Sequence, residues 1–240
     1  MTHSFLQLQA LGDLPFPNTD EKLAGLAFQA CRFSVADYDD HAPQSCSISI
    51  PPGFERFVGK RKAEFVAGRV CAQQALERLG VHDAQIAIGE NRAPVWPAGI
   101  LGSISHSHEY ACCVAARASA NGLNGIGIDA EQIMIAERAD KLYGHIVSES
   151  EKHYLQTLNC SWPTALTLVF SAKESLFKTL YPAVLQYFDF LHAEVIAIDL
   201  SQQRLSLRLL KDLTAEVRQG NIYDGLFAIE ADSVQTLVYY

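Results

Sequence analysis

The sequence predicts an α+β fold built from two pseudo-symmetric α+β halves. Two long helical stretches predict the class, because β-type segments cluster around them instead of alternating with them. An internal echo predicts the duplication: "FVGKRKAEF" (57–65) and "FSAKESLFK" (170–178) both place Phe ahead of a basic–charged pair on a long helix. The halves are drawn at 1–121 and 122–240, within the turn "NGLNG".

The elements follow in order. The first 52 residues are punctuated by Pro and Ser, and "GLAFQACRFSV" reads as β structure. Phe65, Val66, Val70, Ala72, Ala75, Leu76 and Leu79 then recur near helical spacing, which predicts a long amphipathic helix stopped by Gly80. Its first turns carry Lys60, Arg61, Lys62 and Arg69. A Gly/Pro-rich connector, "IGENRAPVWPAGILGS", leads to one strand in "ISHSHEYACCVAARA" and a second, short one in "IGIDAEQI". "SESEKHYLQTL" opens with Ser148 and has Glu151 three residues on, the pattern of a capping box. "TALTLVFSAKESLFKTLYP" is the second long helix, expected to end at Pro182, and "AEVIAIDL", "RLSLRLL" and "LFAIEA" alternate as strands.

Composition bounds the function. The chain has 240 residues, 49% of them hydrophobic and 19% charged, enough for one large or two small cores. Its net charge of −8 argues against nucleic-acid binding, which needs a Lys/Arg surplus on some face. Any anionic ligand must be held by a local basic cluster. The six cysteines lack C-x-x-C spacing and read as small hydrophobes. The opening "MTHSFLQLQALGDLPFP" has no positive leader or long apolar core, so no signal peptide is expected. No run of about 18 apolar residues occurs, so no transmembrane segment is expected, and the reducing cytoplasm is the expected compartment.

Three motifs carry chemistry. On a strand, Asp129 and Glu131 are two apart and point to one face, as an oxygen-rich Mg²⁺ site would need or as two solvated acids would do. Glu174 and Lys178 are four apart on one helix face, with Lys173 beside them. An ordinary surface ion pair explains that spacing, but Phe170, Leu176 and Phe177 imply a largely buried helix, where charge needs a partner. Lys60, Arg61 and Lys62 oppose the dipole at a helix start, as a solvated basic face would do or as a bound polyanion would relieve, and Arg92 in the connector is compatible with the same anion. Neither G-x-x-x-x-G-K-[ST] nor G-x-G-x-x-G is present, which disfavours P-loop and Rossmann enzymes.

These residues resemble a known family. "GID" ending at Asp129, a spacer of about 40 residues, and "FSAKESLFK" ending at Lys178 match the 4′-phosphopantetheinyl transferase signature (I/V)-G-(I/V)-D … (F/W)-(S/C/T)-x-K-E-(A/S)-x-x-K at every defined position. "RKAEFVAGR" and "RAPVWPAGILGSISHS" are similar to its larger, enterobactin-synthetase-type subclass, and the resemblance covers roughly 57–182. It implies two pseudo-symmetric α+β halves with coenzyme A in the cleft between them. It also implies transfer of the phosphopantetheine arm to a serine of an apo acyl or peptidyl carrier protein. Under it, Asp129, Glu131 and Glu174 hold Mg²⁺, and Glu174 is the candidate base. Asp129 and Lys178 share the catalytic role, and Lys173 and Lys178 stabilise phosphate charge. Arg61, Arg69, Arg92, Ser105 and His106 contact the nucleotide. His106 is then a phosphate donor, and His108 a locally bonded strand histidine. The acceptor serine belongs to the partner.

A carrier is expected to dock on 132–144 through Ile133, Met134 and Ile135, unless these are core. With both halves in one chain, a monomer is expected. The resemblance favours siderophore carriers, with fatty-acid or polyketide carriers as the other candidates. A non-catalytic CoA-binding protein and a CoA hydrolase are the competing functions.

Overall fold

The computed structural model describes residues 4–9, 14–16 and 20–240. The chain divides into two compact units, one of Met1–Leu14 and Leu23–Asn121, the other of Pro15–Lys22 and Gly122–Tyr240. Both follow one plan, a long helix packed on an antiparallel sheet.

The first unit contains β1 (Leu6–Leu8), β2 (Ala27–Phe33), α1 (Ala42–Ser45), α2 (Gly59–Arg78), β3 (Ala87–Ile88), β4 (Pro94–Val95), β5 (Ile100–Ser107) and β6 (Tyr110–Arg117). Its main sheet runs β1-β2-β6-β5, and α2 lies against β6, β2 and β5. Helical periodicity predicts an amphipathic α2, but residues 63–72 are buried on every side, Glu64 and Arg69 included. Small residues explain this: Ala63, Ala67, Cys71, Ala72 and Ala75 let neighbouring chain approach all round. At Gly68 a Cβ would come within 2.9 Å of the Ile104 side chain, so glycine brings β5 close to α2. Gly80, at φ +73, follows the helix as its sequence predicts.

One stretch differs from the sequence reading. "ISHSHEYACCVAARA" is not a single strand: β5 and β6 form a hairpin in which Ser107 pairs with Tyr110. The turn uses His108 at φ +50, a conformation that Asn or Gly ordinarily signals.

The second unit contains β7 (Ile126–Gln132), α3 (Ala136–Ile146), α4 (Glu149–Leu155), α5 (Trp162–Val184), β8 (Ala193–Asp199), β9 (Arg204–Leu209), β10 (Ile222–Ile229) and β11 (Ser233–Tyr239). The sheet order is β7-β11-β10-β9-β8, with α5 on β7 and β11. Its capping box forms as the sequence predicts: Ser148 Oγ accepts from Glu151 N at 3.2 Å, and Glu151 Oε2 accepts from Ser148 N at 3.1 Å. Pro182 does not end α5. With so little helix left it disturbs little, and the helix runs to Val184, closing on Leu185 at φ +51. The core holds Leu166, Leu168, Leu176, Leu180, Leu207, Phe227 and Val238. Among the described residues, no helix is long and apolar enough to cross a membrane.

Candidate active site

In the second unit, the contact between α5 and the sheet sets the acidic residues. Ser171, Ser175 and Thr179 recur every four residues along one face of α5. Ser175 Oγ donates to Thr236 O at 3.0 Å, and Thr179 Oγ1 donates to Val238 O at 2.9 Å. The adjacent strand comes closer still. A Cβ on Gly127 would lie 2.1 Å from Ser175 O and 2.6 Å from Thr179 Oγ1, so only glycine allows this approach.

That closeness lets Lys178 reach from α5 to β7, where its ammonium donates to Asp129 Oδ1 at 2.7 Å and to Ile128 O at 3.0 Å. Glu131 lies two residues along the same strand, and Glu174 one turn before Lys178. The electrostatics show that these groups feel one another. Burial and then the Asp129 charge push the Glu131 carboxyl up to about 7, with Lys178 opposing and Glu174 adding. Burial also raises Glu174, opposed by Lys178 and helped by Asp129. Among the described residues, no three His, Cys, Asp or Glu side chains converge closely enough to enclose a metal by themselves. Even so, the donors suit a hard divalent cation that keeps water and substrate oxygens in its shell: the Asp129 carboxylate raises the proton affinity of both Glu131 and Glu174, beside the Lys178 ammonium.

The first unit gathers the other candidates. A cavity of about 580 Å³ is lined by Arg61, Glu64, Phe65, Arg69, Arg92 and His106, among others. Arg69 is buried, donates through Nε to Ile86 O at 2.9 Å and stacks on the Phe65 ring at 4.8 Å. Burial lowers it to about 10, so it keeps its charge at neutral pH. Arg92 is exposed, at φ +65. Arg61 Nη1 lies 2.8 Å from His106 Nε2.

Two predicted contacts lie elsewhere. Lys173 is not with the acidic group: its side chain is 1% exposed, and its ammonium donates to Ile146 O at 2.8 Å and pairs with Glu151 at 2.9 Å. Glu151 Oε1 also accepts from Val195 N at 2.9 Å, so this pair ties α5 to the start of α4 and to β8. Helix geometry is the reason, since position 173 lies about 100° around the helix from 174, whereas 178 shares the face of 174. Ser105 does not line the cavity. Strand alternation puts Ile104 and His106 on the cavity side and Ser105 on the other, where it is buried.

Of the expected docking residues, Met134 is core, Ile133 is half-buried and Ile135 is 70% exposed. Glu64 and Gly127 escaped the sequence reading, and Glu151 is legible there only as a helix cap, not as the partner of Lys173. The glycine has a signal in "GIG", where alternating glycines in a strand mark a close backbone approach.

Comparison with known proteins gives a consistent result. The family described as 4′-phosphopantetheinyl transferase N-terminal domain matches residues 52–116, and the 4′-phosphopantetheinyl transferase superfamily matches residues 125–228. Enterobactin synthase component D of Salmonella typhi is 35% identical over 217 residues, covering 89% of this chain and 88% of that protein. The Shigella flexneri protein of the same name is 44% identical over 119 residues, covering 50% and 54%. The 4′-phosphopantetheinyl transferase Svp of Streptomyces mobaraensis is 37% identical over 172 residues, covering 71% and 67%.

Proposed function

The chain belongs to the 4′-phosphopantetheinyl transferase superfamily, and on that premise we propose that it transfers the phosphopantetheine arm of coenzyme A to a serine of an apo carrier protein. The observation that carries this reading is the meeting of the two halves of the signature, where Lys178 of "FSAKESLFK" bonds to Asp129 of "GID" at 2.7 Å.

In this reading the serine oxygen of the carrier forms a new bond to the β-phosphorus of CoA. The pyrophosphate bond breaks, and adenosine 3′,5′-bisphosphate leaves. Glu174 accepts the serine proton, directly or through a water. Lys178, anchored by Asp129, offers positive charge to the phosphates. Asp129, Glu131 and Glu174 would hold Mg²⁺, which, when bound, would neutralise the pyrophosphate and polarise the phosphorus. Arg61, Arg69, Arg92 and His106 would hold the nucleotide in the first-unit cavity. Lys173 acts as a buried brace.

The similarity to enterobactin synthase component D supports a siderophore peptide-synthetase carrier as the acceptor. We place the protein in the reducing cytoplasm as a monomer, a compartment that six free thiols fit.

Intact-mass analysis tests the reaction. Apo peptidyl and acyl carriers are incubated with the protein, CoA and Mg²⁺, alongside a metal-free arm and Asp129→Ala. The expected result is a gain of one phosphopantetheine that both controls lose. CoA binding without any gain would leave a binding protein, and phosphopantetheine released without a carrier would make it a hydrolase.

A further inference from the structure

The first-unit cavity contains a carboxylate, which is unexpected where an anion is to bind. Glu64 lies on α2 with its side chain only 11% exposed, ringed by cations. Lys60 Nζ is 3.9 Å from one of its oxygens, and Arg61 Nη1 is 3.5 Å from the other. His106 Nδ1 lies 3.7 Å from that second oxygen, and His106 Nε2 is the atom 2.8 Å from Arg61 Nη1.

Donor rules fix the direction of this chain. A guanidinium has only donors, so His106 Nε2 accepts from Arg61. An imidazole that accepts at Nε2 is neutral and carries its proton on Nδ1, which faces Glu64. Such a ring cannot donate from Nε2 to a phosphate. To do so it must give up the Arg61 bond; moving its one proton to Nε2 would turn a bare Nδ1 lone pair toward the Glu64 carboxylate, so Glu64 favours the gain of a second proton, the imidazolium keeping Nδ1–H on that side.

We propose that Glu64 is a positioning residue of the nucleotide site and that binding of a nucleotide phosphate there is coupled to uptake of one proton by His106. The phosphate draws Arg61 away from Nε2, one solvent proton adds to Nε2, and the imidazolium then donates to the anion while Nδ1–H faces Glu64. This rests on the reading of the cavity as the site for the CoA nucleotide. The other groups facing it do not take up that proton. Arg69 keeps its charge at neutral pH, and burial keeps the Cys113 thiol on β6 protonated. Lys60, Arg61 and Arg92 also face the site, as donor-only side chains.

Titration calorimetry of CoA and of adenosine 3′,5′-bisphosphate near pH 8, in buffers of different ionisation enthalpy, counts the protons. All arms contain the same Mg²⁺ concentration. Wild type should take up about one proton, and its Kd should rise roughly tenfold per pH unit above the imidazole's titration. His106→Gln keeps a donor but cannot protonate, so it should bind more weakly with no uptake and a flat pH profile. Glu64→Gln should lower the proton count and weaken binding, and Glu64→Asp should recover part of both. Melting curves identify any variant that fails to fold. Equal proton counts in wild type and His106→Gln would overturn the proposal while leaving the nucleotide site intact. An unchanged count in Glu64→Gln would remove the role of Glu64. No binding by wild type would overturn both the proposal and the site on which it rests.

Discussion

Among single residues, the two lysines of one motif part company. Lys178 shares a helix face with Glu174 and reaches Asp129, whereas Lys173 turns inward to Glu151. The 3.6-residue period contains this distinction, because neighbours along a helix lie on different faces. Which of the two faces is core is not in the period; it depends on α3, α4 and β8 packing over it. A buried pair stripped of one partner leaves an uncompensated charge, so Lys173→Met should cost about 3–5 kcal/mol. Glu151→Gln should cost less, since an amide oxygen still accepts one of its bonds. Urea unfolding checks both, with the double variant Lys173→Met/Glu151→Leu expected to recover much of the loss. Glu131 makes a separate prediction. Its carboxyl is raised from 4.5 to about 7, so between those values the native state keeps a proton that the unfolded chain has lost. Stability therefore falls as pH rises through this window. The metal-free melting temperature should decline from pH 5 to 7, and Glu131→Gln should flatten that decline. An equal decline in the variant would assign the slope to other groups.

Whole elements depend on close approach as much as on pattern. Strands with clean alternation, such as β8 and β9, and the Ser148 cap are readable from sequence. β11 is not, although it is the strand beside β7. Its Thr236 is fully buried yet polar, bonded to Ser171 and Ser175 of α5, so apolar alternation does not mark its inner face. The β5–β6 hairpin is hidden for a related reason, as its turn uses His108 where an Asn-Gly signal would be expected. α3 is also unpredicted; its segment reads as a candidate docking surface, and of it Met134 and Ala139 lie in the core while Ile135 is exposed. The α5–β7 contact predicts its own failure. A methyl on Gly127 would lie 2.1 Å from Ser175 O, a backbone atom that can move only with the helix. Gly127→Ala should therefore cost about 3 kcal/mol or more and draw Asp129 away from Lys178. Circular dichroism melting would register the loss. Gly144→Ala on α3 is the control, because no atom lies within 4 Å of its added Cβ.

At the scale of the whole molecule, the two units carry different parts of the proposed reaction. The cation-lined cavity belongs to the first unit, and the carboxylates with Lys178 belong to the second. The sequence shows this division more clearly than it shows either fold, since basic residues cluster near 60 and paired acids follow 128. Kinetics should separate along the same line. Arg61 contacts only the nucleotide in the proposed function, so Arg61→Ala removes binding common to the ground and transition states. It should raise KM for CoA about tenfold and leave kcat within about twofold. Glu174 acts on the proton that moves during transfer and would also hold Mg²⁺, so Glu174→Gln should lower kcat by about 10² to 10³ even at saturating CoA and Mg²⁺. Steady-state assays with saturating carrier, varying CoA, would measure both. A loss of kcat from Arg61→Ala as large as that from Glu174→Gln would mean that the first unit takes part in the chemical step, and the assignment of binding to one unit and chemistry to the other would fall.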